Sequence, residues 1–375
     1  MTEHLSDRPL PAGTSIAIRP DPLLWPGPVG GGRLAGGPVG FETVELLIRE
    51  PGQRASPASL RAPLRAIRDW AEYQRGDVRS AMETALLRLS QPRPPFAGIA
   101  MPRPLIMGIV NVTPDSFSDG GDHATAASAI AHGKKLIAAG ADLLDIGGES
   151  TRPGSDPVPE AIELARVIPV ITGLADCGAP LSIDTSKAVV MERALAAGAT
   201  IINDVRALTG DPRAMEVAAA SGAWVVLMHC LGDPKTMQQA PRYDHVTLDI
   251  FDYLAQRIEA CEAAGIPRAR IAVDPGIGFG KTLDHNLDIL RNLALFQSLG
   301  CPLLLGVSRK SFIGRLDGSR AQDAPPQPKE RLGGSLAAAL AGLDAGTDIL
   351  RVHDVAETAQ AVAVWRALRG IVSAG

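Results

Sequence analysis

Cysteine is sparse in this 375-residue chain: Cys177, Cys230, Cys261 and Cys301 lie far apart and form no CxxC pair. That spacing suggests neither a disulfide framework nor a zinc site, and suits reduced, packed thiols. An excess of one charge is lacking too. Thirty-seven Lys and Arg face 41 Asp and Glu, a net charge of -4, without the clustered basic residues of a nucleic-acid-binding surface. No apolar run approaches the ~18 residues of a membrane span, and the opening MTEHLSDRP lacks a basic and apolar leader pattern. The composition therefore reads as a cytoplasmic protein with neither a membrane nor a nucleic acid as partner.

What is present is enough apolar material for a large core. Hydrophobic residues make up 46% and charged residues 21%, the balance of a globular fold. The length suits a (β/α)8 barrel of ~250 residues with one appendage. Residues 1–102 have their own texture, with the glycine and proline stretch PGPVGGGRLAGGPVG at 26–40. After it, FETVELLIRE (41–50) alternates like a strand, while SLRAPLRAIRDWAEYQ (59–74) and SAMETALLRLS (80–90) are spaced like helices. The expectation is a small α+β extension of unknown role, with stabilisation or subunit contact preferred over a second activity. QPRPPFAGIAMPRP (91–104) reads as a proline-rich linker, with the domain boundary near 102 and the barrel at 103–375.

From Leu105 onward, short apolar runs alternate with alanine-rich helical patterns, and eight such pairs can be counted. The expected strands are 105–110, 143–146, 181–183, 200–204, 224–228, 270–274, 302–306 and 348–352. The expected helices fall near 125–139, 158–175, 187–197, 211–221, 246–264, 284–298, 330–345 and 354–369. A doubly wound sheet would carry GxGxxG after its first strand, where this chain has NVTPDSFSDGG. The fold class expected is therefore a (β/α)8 TIM barrel with a small N-terminal α+β extension.

In such a barrel the chemistry sits at the C-terminal strand ends. Every expected strand ends on something polar: Asn111, Glu149 to Arg152, Asp184, Asn203 with Asp204, His229, Asp274, Ser308 to Ser311, and Arg351 with His353. Asp184, Asn203 and Asp274 could converge on a flat heterocycle rich in N–H donors, because carboxylates only accept. Arg351 and His353 alternate on one strand and share a side, next to Asn111 around the closed barrel, which suggests a polyanion or metal–phosphate site.

At these residues the sequence resembles the dihydropteroate synthases, through nearly all of 105–375. The segments that carry the resemblance are MGIVNVTPDSFSDGG (107–121) and DIGGESTRPGS (145–155), then SIDTSK (182–187), INDVRAL (202–208), DPGIGFGK (274–281), GVSRKSFIG (306–314) and RVHDV (351–355). The resemblance implies that Asp184, Asn203, Asp274 and Lys310 hold a pterin, with Met228 against its ring. It implies further that Asn111, Arg351 and His353 gather a pyrophosphate, that Asn111 contributes to its Mg2+, and that Ser311 receives the carboxylate of 4-aminobenzoate. Phe117, Thr151 and Pro153 would flank that second substrate, and Asp115 and Arg152 would act with Lys310 in catalysis from loops closing over both.

The reaction implied joins 6-hydroxymethyl-7,8-dihydropterin diphosphate to 4-aminobenzoate, with homodimers and sulfonamide inhibition expected of the family. Two rivals are weighed against it. A methyltetrahydrofolate:corrinoid methyltransferase should lack the TPDSFSDGG, SRKS and RVH segments, all present here. A non-catalytic pterin-binding paralogue or partner subunit would have lost Asn111, Asp184, Lys310 or Arg351, and none is lost.

Overall fold

The structure, a computed structural model, describes residues 9–53, 57–113, 122–150, 155–232, 236–317 and 325–371. The extension begins with β1 (Ser15–Pro20), a two-residue ladder of β2 (Gly32–Arg33) with β3 (Gly40–Phe41), then β4 (Thr43–Arg49) and β5 (Ala58–Pro63). Val44, Leu46 and Ile48 alternate inward along β4, the period of a half-buried strand. β1 and β5 flank β4 in one antiparallel sheet, in the order β1-β4-β5. Helices α1 (Leu64–Tyr73) and α2 (Gly76–Ser90) add Ile67, Trp70, Met82 and Leu89 to a core separate from that of the barrel.

The helical reading of 59–74 is corrected at its front. Residues 58–63 pair with β4, with Leu60 opposite Leu46, and the helix starts only after Pro63. Propensity within 59–62 is overridden by the ladder β4 offers.

Eight parallel strands follow: β6 (Leu105–Asn111), β7 (Leu143–Gly147), β8 (Leu181–Asp184), β9 (Ile201–Asp204), β10 (Trp224–Met228), β11 (Ile271–Asp274), β12 (Leu304–Leu305) and β13 (Ile349–Val352). They run β11-β10-β9-β8-β7-β6-β13-β12, and the bridge between Val273 and Leu303 closes the ring into a TIM barrel. The helices are α3 (Asp122–Ala138), α4 (Glu160–Leu174), α5 (Ala188–Ala196), α6 (Ala214–Ser221), α7 (Val246–Ala263), α8 (Leu283–Arg291), α9 (Ser311–Leu316), α10 (Leu332–Asp344) and α11 (Val355–Leu368). Strands covered by helices outside and packed side chains inside are apolar on both faces, hence the runs in the sequence. Gly222, at φ 68, ends α6 in the left-handed conformation that glycine adopts without strain, and β10 restarts two residues later. The helix expected at 284–298 is in two parts, α8 and a 3-10 turn at Leu293–Leu299, because the Asn292 side chain folds back onto Asp288 O at 2.9 Å.

Extension and barrel are joined by polar and aromatic contacts. Arg19 donates to Asn292 Oδ1 at 2.8 Å, Arg49 pairs with Asp249 and Asp252 on α7, and Arg93 donates to Gln297 O at 2.9 Å. Trp25 stands edge-on to Trp365 of α11, with ring centroids 4.8 Å apart. The stretch read as a linker has a second role. Phe96 and Ile99 bond each other's main chain across a tight turn at Ala97 and Gly98, and Phe96 is fully buried against Met107, Leu143, Val226 and Ile349. Residues 96–99 therefore plug the floor of the barrel.

Removing a buried phenylalanine ring from such a floor costs about 3–5 kcal/mol. Phe96→Ala should lower stability by that amount in urea unfolding. A chain starting at 103 should unfold at lower urea than one starting at 91, and equal midpoints would show that the floor needs no plug.

Candidate active site

Side chains two apart on a strand share a face, so the barrel interior can be read from register. Asn111, Gly147, Asp184 and Asn203 form one row across β6 to β9, and Met228 lies opposite Asp274 on β10 and β11. Asp145 is two residues before Gly147 on β7 and shares its inward face.

Arg351 on β13 reaches across this interior. Its Nε donates to Asp145 Oδ2 at 2.6 Å and its Nη2 to Asp184 Oδ2 at 2.7 Å. Asn203 Nδ2 donates to the same Asp145 oxygen at 3.0 Å. One guanidinium thus ties β7, β8 and β13 together, with β9 joined through Asn203. Burial pushes the Asp184 carboxyl up to about 7; Arg351 pulls it down, and the carboxylates of Asp145, Glu163 and Asp204 push it up. Burial works against the Arg351 charge, but Asp145 and Asp184 outweigh it and hold the guanidinium protonated.

The cation facing these groups is Lys310, whose ammonium lies 4.1 Å above the centre of the Phe279 ring. Burial pushes Lys310 down to about 8, against the pull of Asp274. Asp274 is itself raised by burial, while Gly276 N donates to its Oδ1 at 2.7 Å. His353 does not share the cationic role: burial, then Arg351, pushes it down to about 3. Its main-chain N–H donates to Ser308 Oγ at 3.2 Å, and its Nδ1 sits 3.1 Å from the same oxygen. The anion site read from Arg351 and His353 is therefore one cation already holding two carboxylates, beside a neutral imidazole.

A cavity of about 420 Å3 opens over this network. Asn111, Asp184, Lys310, Ser311, Arg351 and His353 all line it, with Phe279 and Gly306. Asn203, Met228 and Asp274 are buried and are not part of its lining. Gly306 stands between the cavity and Asp274, since a Cβ there would lie 3.9 Å from Asp274 Oδ2. Asp115, Phe117, Thr151, Arg152 and Pro153 lie outside the described residues. A larger groove of about 780 Å3 runs between Arg49, Tyr243, Asp249, Tyr253 and His285. It lacks the strand-end residues and its Arg49 is neutralised by two aspartates, so the smaller cavity is the candidate site.

Three features escaped the sequence reading. Asp145 is the keystone carboxylate, and its signal was a charge inside the apolar run LLDIG at an inward position. Lys187 pairs with both Glu149 and the fully buried Glu163, fixing the strand-end residue Glu149 from the next unit. Lys281, the last residue of DPGIGFGK, is buried, donates to Phe279 O at 2.9 Å and His229 O at 3.3 Å, and meets His229 Nδ1 at 3.0 Å. Burial pushes it down to about 7. The loop it fastens lies directly on the end of β10: at Gly276, φ 70, a Cβ would come within 2.0 Å of His229 O. His229 accordingly serves packing, with its ring edge-on to Tyr253 at 4.9 Å. Cys230, the residue after His229, keeps local company, its sulfur 4.0 Å from that of Met237.

Removing one partner of a buried charge network costs about 3–5 kcal/mol, because the other charge is left uncompensated. Asp145→Ala should lose that much in urea unfolding and Asp145→Leu no less, since both strand Arg351. A change below about 1 kcal/mol would show that Asp184 alone satisfies the arginine.

Comparison with known proteins agrees with this geometry. The family model described as pterin binding enzyme matches residues 107–353. The dihydropteroate synthase of Escherichia coli K12 is 48% identical over 265 residues, covering 70% of this chain and 91% of that protein. The solved dihydropteroate synthase of Xanthomonas albilineans with 4-aminobenzoic acid is 48% identical with a TM-score of 0.68, over 75% of this chain and 99% of its own. The same enzyme in complex with 7,8-dihydropteroate gives 46% and 0.66, over 75% and 100%. A barrel of this topology, with these strand-end residues around one cavity and this level of identity, places the chain in the pterin binding enzyme family, among its dihydropteroate synthases.

Proposed function

We propose that the chain joins 6-hydroxymethyl-7,8-dihydropterin diphosphate to 4-aminobenzoate, releasing pyrophosphate and forming 7,8-dihydropteroate. The observation that carries this reading is the Asp145–Arg351–Asp184 network beneath a cavity that Lys310 also lines. An ionised Asp184 offers a carboxylate to the N–H edge of a 2-amino-4-oxo pterin, with Lys310 beside it in the cavity lining, and Asn203, Asp274 and Met228, buried behind that lining, are our candidates for the rest of the clamp. Asn111, Arg351 and His353 then face the diphosphate, and Ser311 the carboxylate of 4-aminobenzoate.

The C–O bond between the pterin methylene and the diphosphate breaks first, and the bonding pair leaves with pyrophosphate. The neutral aniline nitrogen then supplies the pair for the new C–N bond and loses a proton. Charge develops on both fragments, so fixed charges contribute more than a strong base would. Asp115 and Arg152, together with Lys310, are our candidates for stabilising it. Phe117, Thr151 and Pro153 are our candidates for enclosing the second substrate. The synthase reading is favoured over a non-catalytic paralogue because Asn111, Asp184, Lys310 and Arg351 line one cavity.

Asn111 offers Mg2+ one neutral amide oxygen. Among the described residues no three His, Cys, Asp or Glu side chains are grouped around a metal position. Mg2+ held by so few protein ligands keeps waters and relies on substrate phosphates, so we assign it to the diphosphate substrate. A cytoplasmic homodimer completes the proposal. All four cysteines are free, as a reducing compartment requires, and among the described residues no helix is long and apolar enough to cross a membrane.

Purified protein with both substrates and Mg2+ should release pyrophosphate and form dihydropteroate; tight pterin binding without product would mark a paralogue. Asp184→Ala should weaken pterin binding by about 1.5–3 kcal/mol, or roughly 10- to 150-fold, in a calorimetric titration. A carboxyl raised to about 7 is protonated, and a poor acceptor, below that pH. Pterin affinity should thus fall about tenfold per pH unit below 7. Lys310, at about 8, loses its charge above that value, so kcat/KM should be bell-shaped with its maximum between pH 7 and 8. Asp184→Asn should abolish the acidic limb, and an unchanged limb would assign it elsewhere.

A further inference from the structure

Arg309 stands at φ 60 between Ser308, which holds His353, and Lys310, and all three line the cavity together with Ser311. A non-glycine residue there carries backbone strain, and persists only where the surroundings over-determine it. They do so here from two sides. On the α10 side, Arg309 N donates to Ser335 Oγ at 2.9 Å, and Arg331 Nη1 donates to Arg309 O at 3.0 Å. Ser335 Oγ in turn donates to Arg331 O at 2.7 Å, so the two anchors brace each other. On the β13 side, the guanidinium forks onto Asp354, with Nε to Oδ2 at 3.0 Å and Nη2 to Oδ1. The main-chain N–H, the carbonyl and the guanidinium of one strained residue are all held.

We propose that Arg309 is a positioning residue, a braced kink whose fork to Asp354 fixes where Lys310 and Ser311 present their side chains to the cavity. The next residue makes the geometry consequential. Lys310 caps α9, its N–H bonded to Val307 O at 3.3 Å and its carbonyl to Ile313 N at 3.2 Å. A change of backbone angle at 309 therefore swings the Lys310 ammonium off the Phe279 ring and moves α9 with it. The fork also joins the loop after β12 to the residue following His353, so Ser308, Lys310, Arg351 and His353 keep one relative placement. A planar fork is needed for this, since a lysine offers a point charge and cannot make two parallel bonds.

The inference rests on the synthase reading for its kinetic arm alone, and a labelling arm stands independently of it. Asp354→Asn keeps one acceptor and loses the charge, while Arg309→Gly relieves the φ strain and removes the fork. In each full-length variant, the rate at which an amine-reactive anhydride modifies Lys310 is followed by mass spectrometry, with the exposed Lys134 and Lys135 as internal references. Asp354→Asn should change Lys310 labelling at least threefold while Lys134 and Lys135 stay constant and the melting temperature moves by only a few degrees. Arg309→Lys should behave like Asp354→Asn, whereas Asp354→Glu, which can still take two bonds, should restore part of the wild-type rate.

In turnover, Asp354→Asn should raise KM for both substrates about tenfold, and Arg309→Gly with Asp354→Asn should be no worse than Arg309→Gly alone. Lys310 labelling at the wild-type rate in Asp354→Asn would overturn the proposal. So would kcat falling with KM unchanged in proportion to lost folded protein, because a merely structural pair behaves that way.

Discussion

A single guanidinium shared by two buried carboxylates is the interaction on which the upper half of this barrel depends. Arg351 reaches past β6 to Asp145 on β7 and Asp184 on β8, and Asn203 closes the chain through Asp145. Four strands are thereby held at their catalytic ends by charge rather than by apolar packing. Two carboxylates against one arginine leave a net negative site, which suits the N–H edge of a heterocycle. Burial raises Asp184 to about 7 against the pull of Arg351, with the neighbouring carboxylates of Asp145, Glu163 and Asp204 adding to the rise.

The two ends of the barrel are built on opposite principles. The floor is apolar and closed, with Phe96 inserted among Met107, Leu143 and Ile349. The top is polar and open, its loops braced by secondary contacts: Lys187 on Glu149 and Glu163, Lys281 under Phe279, and Asp354 on Arg309. Apolar packing is concentrated in the floor and the helix layer, while the top carries backbone strain and buried, paired charge. The extension is packed against the side and floor of the barrel. Its sheet and helices have their own core, its arginines fasten to α7 and the turn after α8, and its last residues supply the plug.

Much of this was legible in the sequence, and the misses have physical causes. Polar residues at all eight strand ends were readable because parallel strands buried on both faces leave only their termini free to be polar. Asp145 was not, because a carboxylate inside an apolar run reads as an interruption until an arginine 206 residues away is brought to it. Phe96 was read as linker because its proline neighbours signal an extended chain, and nothing local says that the chain ends in a barrel. Residues 59–63 were read as helix because apolar residues through 59–74 fall at helical spacing, while the strand beside them decides otherwise. Arg309 gave no sign, since backbone strain is a property of the fold around it.

The central claim is that the cavity above Arg351 holds the pterin. A crystal structure with 6-hydroxymethyl-7,8-dihydropterin diphosphate tests it most directly. The account predicts the pterin N–H edge within hydrogen-bond distance of Asp184, with Asn203 and Asp274 beside it and the diphosphate toward Asn111 and His353. A pterin seated instead in the groove between Arg49 and Tyr243, with the Arg351 network untouched, would contradict it.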